Sequence, residues 1–158
     1  MRLYIKQKIF SWGDRFSIYD ENGKERYFVQ GEVFTLGKKL HLYNPLGEEL
    51  AYIEQKVFSF LPRYYVYRGE RQIAEVVREF TFFKQEYTVH GPAWTVHGDF
   101  WDHSYEITDG IKTVASVSKD WFTLGDAYEL CIADSEDEVR AIAVCLVIDA
   151  CIEANRDS

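Results

Sequence analysis

The densest group of side chains able to bind a metal or move protons lies in residues 90–103 (HGPAWTVHGDFWDH). It holds three histidines and two aspartates, residue types that ligate zinc and other transition metals. The spacing argues against such a site. Neither His-x-Glu nor His-x₃-His occurs, and Asp102 and His103 do not share a strand face as His97 and Asp99 do. Turn chemistry explains the Gly-Asp pair equally well, so we expect polar turn residues here and no metal site.

A nucleophile and base could be assembled from Ser104, His103 and Asp99. However, the sequence contains neither the Gly-x-Ser-x-Gly elbow nor an oxyanion loop that such a nucleophile requires. It also lacks a phosphate-binding glycine loop and a Walker lysine. We therefore predict no catalytic residues and no cofactor, and hence a protein that is not an enzyme.

Lysines provide the candidate binding surface of this sequence, and five are assigned to it: Lys6, Lys8, Lys38, Lys39 and Lys56. Gathered together, they would attract anionic lipid headgroups by about 1 kcal/mol per charge near a membrane surface. The alternative is a solvated barrel exterior, on which lysines discourage edge-to-edge strand pairing.

Charge is distributed unevenly along the chain, whose formal net charge is −8. Residues 1–90 carry 14 Lys and Arg against 12 Asp and Glu, a balance of +2, whereas residues 91–158 carry 4 against 14, a balance of −10. An acidic chain is a poor general binder of nucleic acid, because phosphate contacts require lysine and arginine. An anionic partner would therefore have to bind the N-terminal half of the chain.

Short runs of alternating apolar and polar residues, separated by turns, fill the first 130 residues and predict antiparallel strands. Asn22-Gly23, between the runs 15–20 and 25–31, is a strong hairpin signal. Residues 51–59 (AYIEQKVFS) resemble residues 115–123 (ASVSKDWFT) and, more weakly, residues 74–81. We interpret this unit as a repeated hairpin with a turn glycine, an inward alanine and an aromatic corner. Convergence of strand chemistry is the alternative.

The end of the chain predicts one very apolar helix. Ser135 followed by Glu138 has the form of a capping box, and residues 141–148 are apolar on every helical face, unlike a surface helix. Residues 141–152 would be about 18 Å long, shorter than the roughly 30 Å of bilayer hydrocarbon. Asp149 also interrupts the run. We therefore expect no transmembrane segment and a helix enclosed by protein.

Geometry indicates what encloses the helix. Twelve strands about 4.8 Å apart and tilted by about 40° close into a barrel about 24 Å across, which leaves room for a helix about 10–12 Å thick. The predicted fold is all-β with one helix: a closed antiparallel barrel of about twelve strands enclosing a C-terminal hydrophobic α-helix. Since no linker interrupts the chain, we expect one domain over residues 1–158. Asp149 is expected at the barrel mouth, capped by Lys, Arg or backbone N–H groups.

The cysteines favour a reducing compartment. Cys131, Cys145 and Cys151 are an odd number without a Cys-x-x-Cys motif, and we interpret all three as small buried hydrophobic residues. The chain begins directly with strand alternation rather than a signal peptide. A cytoplasmic location is expected, with peripheral attachment to the membrane as a further possibility.

Several segments, taken in order, resemble the LURP-one-related family, relatives of Tubby and the phospholipid scramblases. They are residues 5–10 (IKQKIF), 19–23 (YDENG), 28–31 (FVQG), 50–56 (LAYIEQK), 98–100 (GDF), 118–122 (SKDWF), 125–129 (GDAYE) and 148–149 (ID). The resemblance covers essentially the whole chain and implies a twelve-stranded barrel around a C-terminal hydrophobic helix. Tubby-type relatives bind phosphoinositide headgroups and scramblase-type relatives are linked to lipid movement and calcium, but no counterpart of either site is evident in these residues.

The functional expectation is a non-catalytic binding module that engages anionic lipid headgroups at a membrane surface, or a protein partner, through its outer face. The alternative is a small-ligand carrier or an uncharacterised enzyme. A carrier requires an empty barrel lumen, which the predicted helix would occupy.

Overall fold

The fold is described by a computed structural model that covers residues 1–6, 15–80, 84–119, 127–134 and 136–156. Within these residues the chain forms one helix, α1 (Glu138–Arg156), and twelve strands. The strands are β1 (Arg2–Lys6), β2 (Arg15–Asp20), β3 (Glu25–Gly31), β4 (Lys39–Tyr43), β5 (Glu49–Gln55), β6 (Arg63–Arg68), β7 (Arg71–Phe80), β8 (Gln85–His90), β9 (Trp94–Asp99), β10 (Ser104–Thr108), β11 (Thr113–Lys119) and β12 (Ala127–Ile132).

The strands form a closed antiparallel barrel. Each strand pairs with its neighbours in sequence, and β1 pairs with β12 in the register Leu3 opposite Leu130 to close the sheet. The hairpin predicted at Asn22-Gly23 is present between β2 and β3, and Gly23 has the positive φ of 75° that its turn requires. The fold prediction is therefore confirmed. Among the twelve described strands, closure leaves no edge available for pairing with another chain.

Because side chains point to alternate sides along each strand, one face of the sheet lines the inside of the barrel. In β3 the side chains of Tyr27 and Val29 are buried while those between them are partly exposed. The alanines of the predicted repeat, Ala51, Ala74 and Ala115, are each at most 2% exposed, which confirms their inward position. Small residues at these points leave room for the helix.

Helix α1 fills the barrel. Residues 141–148 are at most 2% exposed and residues 149–152 at most 8% exposed, as expected of a helix without a polar face. The predicted cap is wrong by two residues: α1 begins at Glu138, and the Asp137 carboxylate accepts a hydrogen bond (3.0 Å) from the backbone N–H of Arg140. Ser135 lies outside the described residues. Within the described part of the chain, no helix combines the length and hydropathy that crossing a membrane requires.

The barrel has two different ends, because connections after odd-numbered and even-numbered strands alternate between them. The turn end carries residues 21–24, 44–48 and 109–112, and α1 begins there, with Asp137 3.2 Å from Arg68. The loop end carries residues 32–38, 56–62 and 100–103. Helix α1 runs toward the loop end, where the Lys38 ammonium donates a hydrogen bond (2.9 Å) to the carbonyl oxygen of Ala150.

Candidate functional site

Two connections at the loop end contact each other, residues 32–38 between β3 and β4 and residues 56–62 between β5 and β6; we call them the paired loops. The backbone N–H of Lys38 donates to Gln55 Oε1 (3.1 Å), and the backbone N–H of Gln55 donates to the Lys38 carbonyl oxygen (2.9 Å). The second loop is closed by a hydrogen bond from the Lys56 N–H to the Arg63 carbonyl oxygen (2.8 Å). These bonds tie the end of the first loop to β5 and close the second loop at its base.

Gly37 lets the paired loops approach closely. Its φ is +80°, and a Cβ at this position would lie 3.0 Å from Val57 Cγ2. The Thr35 hydroxyl donates to the Gly37 carbonyl oxygen (2.7 Å) and holds the preceding residues in place. Open hollows of about 560 and 290 Å³ flank this contact, one lined by each loop.

The paired loops expose large apolar side chains. Phe34, Phe58 and Phe60 have relative exposures of 106%, 96% and 99%, and Leu36 is 73% exposed. Phe34 and Phe58 also have positive φ values, 59° and 61°, which residues with a Cβ rarely adopt. The sequence interpretation placed Phe58 in an aromatic corner and did not foresee that it projects into solvent. The signal available was an apolar cluster between two strands, outside the alternating pattern.

The two segments that carry these phenylalanines are also positively charged. In residues 32–39 and 56–63 the cations Lys38, Lys39, Lys56 and Arg63 stand against one acid, Glu32, so the balance is +3. Glu32 pairs with His41 (2.8 Å), and Arg63 is paired with Glu75. Among the described residues, no ion pair includes Lys39 or Lys56.

The structure brings three of the five predicted lysines together. Lys38 ends one of the paired loops, Lys39 follows it as the first residue of β4, and Lys56 begins the other loop, next to Gln55. The backbone of Lys6 ends β1 at the same end of the barrel, opposite Ala127. Lys8 lies outside the described residues. Lys38 differs from the expected surface lysine, because its ammonium group reaches inward to the helix carbonyl of Ala150.

A second polar group is buried where α1 approaches the loop end. The Asp149 side chain is 7% exposed, and its Oδ2 accepts a hydrogen bond from the Tyr128 hydroxyl. His103 Nε2 lies 3.4 Å from Asp149 Oδ1, and the His103 ring stacks on Tyr128 at 4.9 Å between centroids. The carboxylate expected to be capped by Lys, Arg or backbone N–H groups is instead hydrogen-bonded by Tyr128 at Oδ2. Among the described residues, Oδ1 has no hydrogen-bond partner, and His103 is its ion-pair neighbour. Sequence reasoning missed the pair because His103 and Asp149 are distant in the chain.

Burial keeps the neighbouring acids neutral. Burial and the nearby Asp149 charge hold the pKa of Tyr128 well above its usual range. Burial also raises the pKa of Cys145 to about 12 and that of Cys151 to about 11. Neutral thiols are weak nucleophiles, so this interior group is suited to holding the helix in place rather than to chemistry. Cys131, predicted to be buried, is only half-buried, and all three cysteines are free.

Residues 90–103 divide between surface and interior. His97 and Asp99 are exposed on one face of β9, as expected, and with Lys84 and the half-exposed Trp101 they line an open hollow of about 530 Å³. His103 lies in the turn before β10, as expected, but its side chain is only 4% exposed and is therefore buried. Throughout the described residues, no group of three or more His, Cys, Asp or Glu side chains is arranged to hold a metal ion.

Comparisons with known proteins agree with this architecture. A sequence profile described as LURP-one-related matches residues 1–149. The uncharacterised protein YxjI of Bacillus subtilis (strain 168) is 38% identical over 157 residues, which cover 99% of this chain and 97% of that protein. An X-ray structure of an Arabidopsis thaliana protein superposes with a TM-score of 0.66 over 94% of this chain and 90% of the other, at 19% identity. The match across nearly the whole chain establishes that this protein belongs to the LURP-one-related family.

Proposed function

We propose that the protein is a non-catalytic binding module that attaches to anionic membrane surfaces through the cations of the paired loops. The observation that carries the proposal is the +3 balance of residues 32–39 and 56–63 in a chain whose net charge is −8. Each lysine or arginine held near an anionic leaflet contributes about 1 kcal/mol of attraction. Lys38, Lys39 and Lys56 supply most of this charge.

Acids at the other end of the barrel do not cancel this attraction. Asp134, Glu136, Asp137 and Glu138 surround the start of α1 at the turn end, and each is ion-paired there, with the N-terminal ammonium, Lys112, Arg68 and Arg26 respectively. From Glu138 to Ala150, the level at which Lys38 binds the helix, the distance along α1 is about 18 Å. This exceeds two Debye lengths at physiological ionic strength, about 8 Å each. Repulsion from the turn end is therefore largely screened when the loop end meets a membrane, and the asymmetry orients the molecule.

The filled interior supports a function at the outer surface. Helix residues 141–152 are at most 8% exposed inside the barrel, in the space that a lipocalin-type carrier keeps for its ligand. A small-ligand carrier is for this reason the weaker candidate.

Flotation with phosphatidylcholine vesicles, with and without phosphatidylglycerol or a phosphoinositide, tests the proposal over a salt series. We expect binding to the anionic vesicles that weakens as salt rises. Lys39→Glu and Lys56→Glu should each weaken binding by about 30-fold, because a charge reversal replaces an attraction of about 1 kcal/mol by a repulsion of similar size. Lys24→Glu makes the same charge change at the exposed turn end and is the matched control. Equal binding to neutral and anionic vesicles, or an equal loss in the control, would contradict the proposal.

A further inference from the structure

Three phenylalanines at the loop end of the barrel leave their apolar surface exposed in the folded protein. Phe34, Phe58 and Phe60 are 106%, 96% and 99% exposed, as much as in an extended chain. Single exposed apolar residues are ordinary on protein surfaces. Here three fully exposed aromatic side chains lie on two loops that contact each other at Gly37 and Val57, and together they form an apolar feature that calls for an occupant.

The backbone of these loops is strained at two of the three phenylalanines. Phe34 and Phe58 both have left-handed backbone conformations, with φ of 59° and 61°. Glycine or asparagine is the residue that normally occupies such a position, and bulky side chains there are outliers. Strain of this kind persists at sites where it serves a function. Among the described residues, four that carry a Cβ have a positive φ: Phe34, Phe58, Ala93 and His103. Two of the four are fully exposed phenylalanines of the paired loops, so backbone strain and exposed apolar rings coincide there.

The surroundings of the rings identify a lipid bilayer as the occupant. Lys39 and Lys56 lie at the base of the paired loops, and the balance of the two segments is +3. Aromatic side chains that project beyond lysines match the layers of an anionic membrane, in which apolar groups enter the acyl region while ammonium groups stay at the phosphates. A purely apolar partner would leave the cations without a complementary surface. A purely anionic partner would leave the phenylalanine rings exposed to water.

We infer that Phe34, Phe58 and Phe60 insert into the acyl layer of a membrane below its anionic headgroups and anchor the loop end of the barrel there. The inference rests on the proposed function and extends it, since headgroup attraction alone requires no insertion. Insertion adds a contribution that salt does not screen. It also fixes the depth of the protein and places α1 with its C-terminal end toward the membrane.

Vesicle binding by the full chain distinguishes insertion from surface attraction. Phe34→Ser, Phe58→Ser and Phe60→Ser should each weaken binding to phosphatidylglycerol-containing vesicles by about tenfold, close to the value of burying one such side chain. Leu46→Ser and Ile111→Ser are matched controls, because these side chains are 86% and 98% exposed at the opposite end. They should leave binding unchanged. Wild-type protein should keep measurable binding at high salt, and the triple serine variant should lose it.

A depth probe provides the independent readout. In a Cys131→Ser background, a nitrobenzoxadiazole label on Phe58→Cys should shift to the blue and be quenched by spin-labelled acyl chains when vesicles are added, whereas a label on Ile111→Cys should do neither. Binding that salt abolishes completely, with serine variants equal to wild type and no shift at position 58, would overturn insertion and leave the proposed function standing. Absence of binding to any vesicle by the wild-type protein would instead overturn both.

Discussion

Replacing Tyr128 by phenylalanine removes a single hydroxyl group from the interior of the barrel and tests what holds α1 there. In the structure this hydroxyl donates a hydrogen bond to Oδ2 of Asp149, whose side chain is 7% exposed. The remaining neighbour of the carboxylate, His103, lies 3.4 Å from the other oxygen. The variant therefore leaves one oxygen of a buried acid without its donor, while the volume of the core hardly changes.

The expected cost follows from the charge of the acceptor. Hydrogen bonds to charged groups contribute about 1.5–3 kcal/mol, against about 1 kcal/mol for neutral pairs. Tyr64→Phe is the matched control, since Tyr64 is 1% exposed and its hydroxyl faces the neutral Cys151 thiol, a weak partner. We expect Tyr128→Phe to lower the free energy of unfolding by about 2 kcal/mol, a fall in Tm of about 4–8 °C for a chain of this size, and Tyr64→Phe to cost at most about half as much.

Urea unfolding followed by far-ultraviolet circular dichroism measures both variants. Repeating the substitution in an Asp149→Asn background completes a double-mutant cycle, in which the cost of Tyr128→Phe should fall to about 1 kcal/mol. Equal costs for Tyr128→Phe and Tyr64→Phe, or an unchanged cost in the Asn background, would refute the conclusion that the tyrosine stabilises a buried charge.

Three further predictions concern stability. Asp137→Ala should lower it by about 1 kcal/mol by removing the helix cap, whereas Asp134→Ala, fully exposed in the same loop, should change it little; thermal unfolding distinguishes them. Gly98→Ala should prevent or severely weaken folding because a Cβ there would lie 2.4 Å from the Ser104 carbonyl oxygen, while Gly110→Ala, with no atom within 4 Å, should express as a folded protein. Since burial raises the pKa of Cys145 to about 12, the unfolded chain loses this proton first, and the free energy of unfolding should fall from about pH 9 upward. Cys145→Ala should show a shallower decline in urea titrations over that range.

Local patterns predicted most of the scaffold. Alternating strands, turn glycines such as Gly23 and a helix apolar on every face indicated a barrel around a helix, because only enclosure by protein satisfies such a helix. Strands β2 and β3 begin and end where the alternation does. The helix start was misplaced since Ser135 and Asp137 both suit a cap, and the choice depends on tertiary contacts, including that of Asp137 with Arg68.

The sequence predicted only the charged residues of the candidate site. The lysines Lys38, Lys39 and Lys56 were identified from the sequence, but nothing in their spacing indicated that they meet at one end of the barrel beside exposed phenylalanines. An apolar residue between two strands looks the same in sequence whether its turn directs it inward or outward. The direction of Phe58 is decided by its positive φ and by the contact between the paired loops.

The sequence by itself thus determined the class of fold, the enclosed helix and the unequal distribution of charge, since these depend on short-range periodicity and composition. Tertiary structure alone decided the partners of Asp149 and the direction of the phenylalanine side chains. The first depends on closure of the barrel, which places Tyr128 of β12 and His103 beside the enclosed helix. The second depends on the positive φ values of Phe34 and Phe58 and on the contact between Gly37 and Val57. No local sequence pattern encodes either, because each requires segments that meet only in the folded barrel.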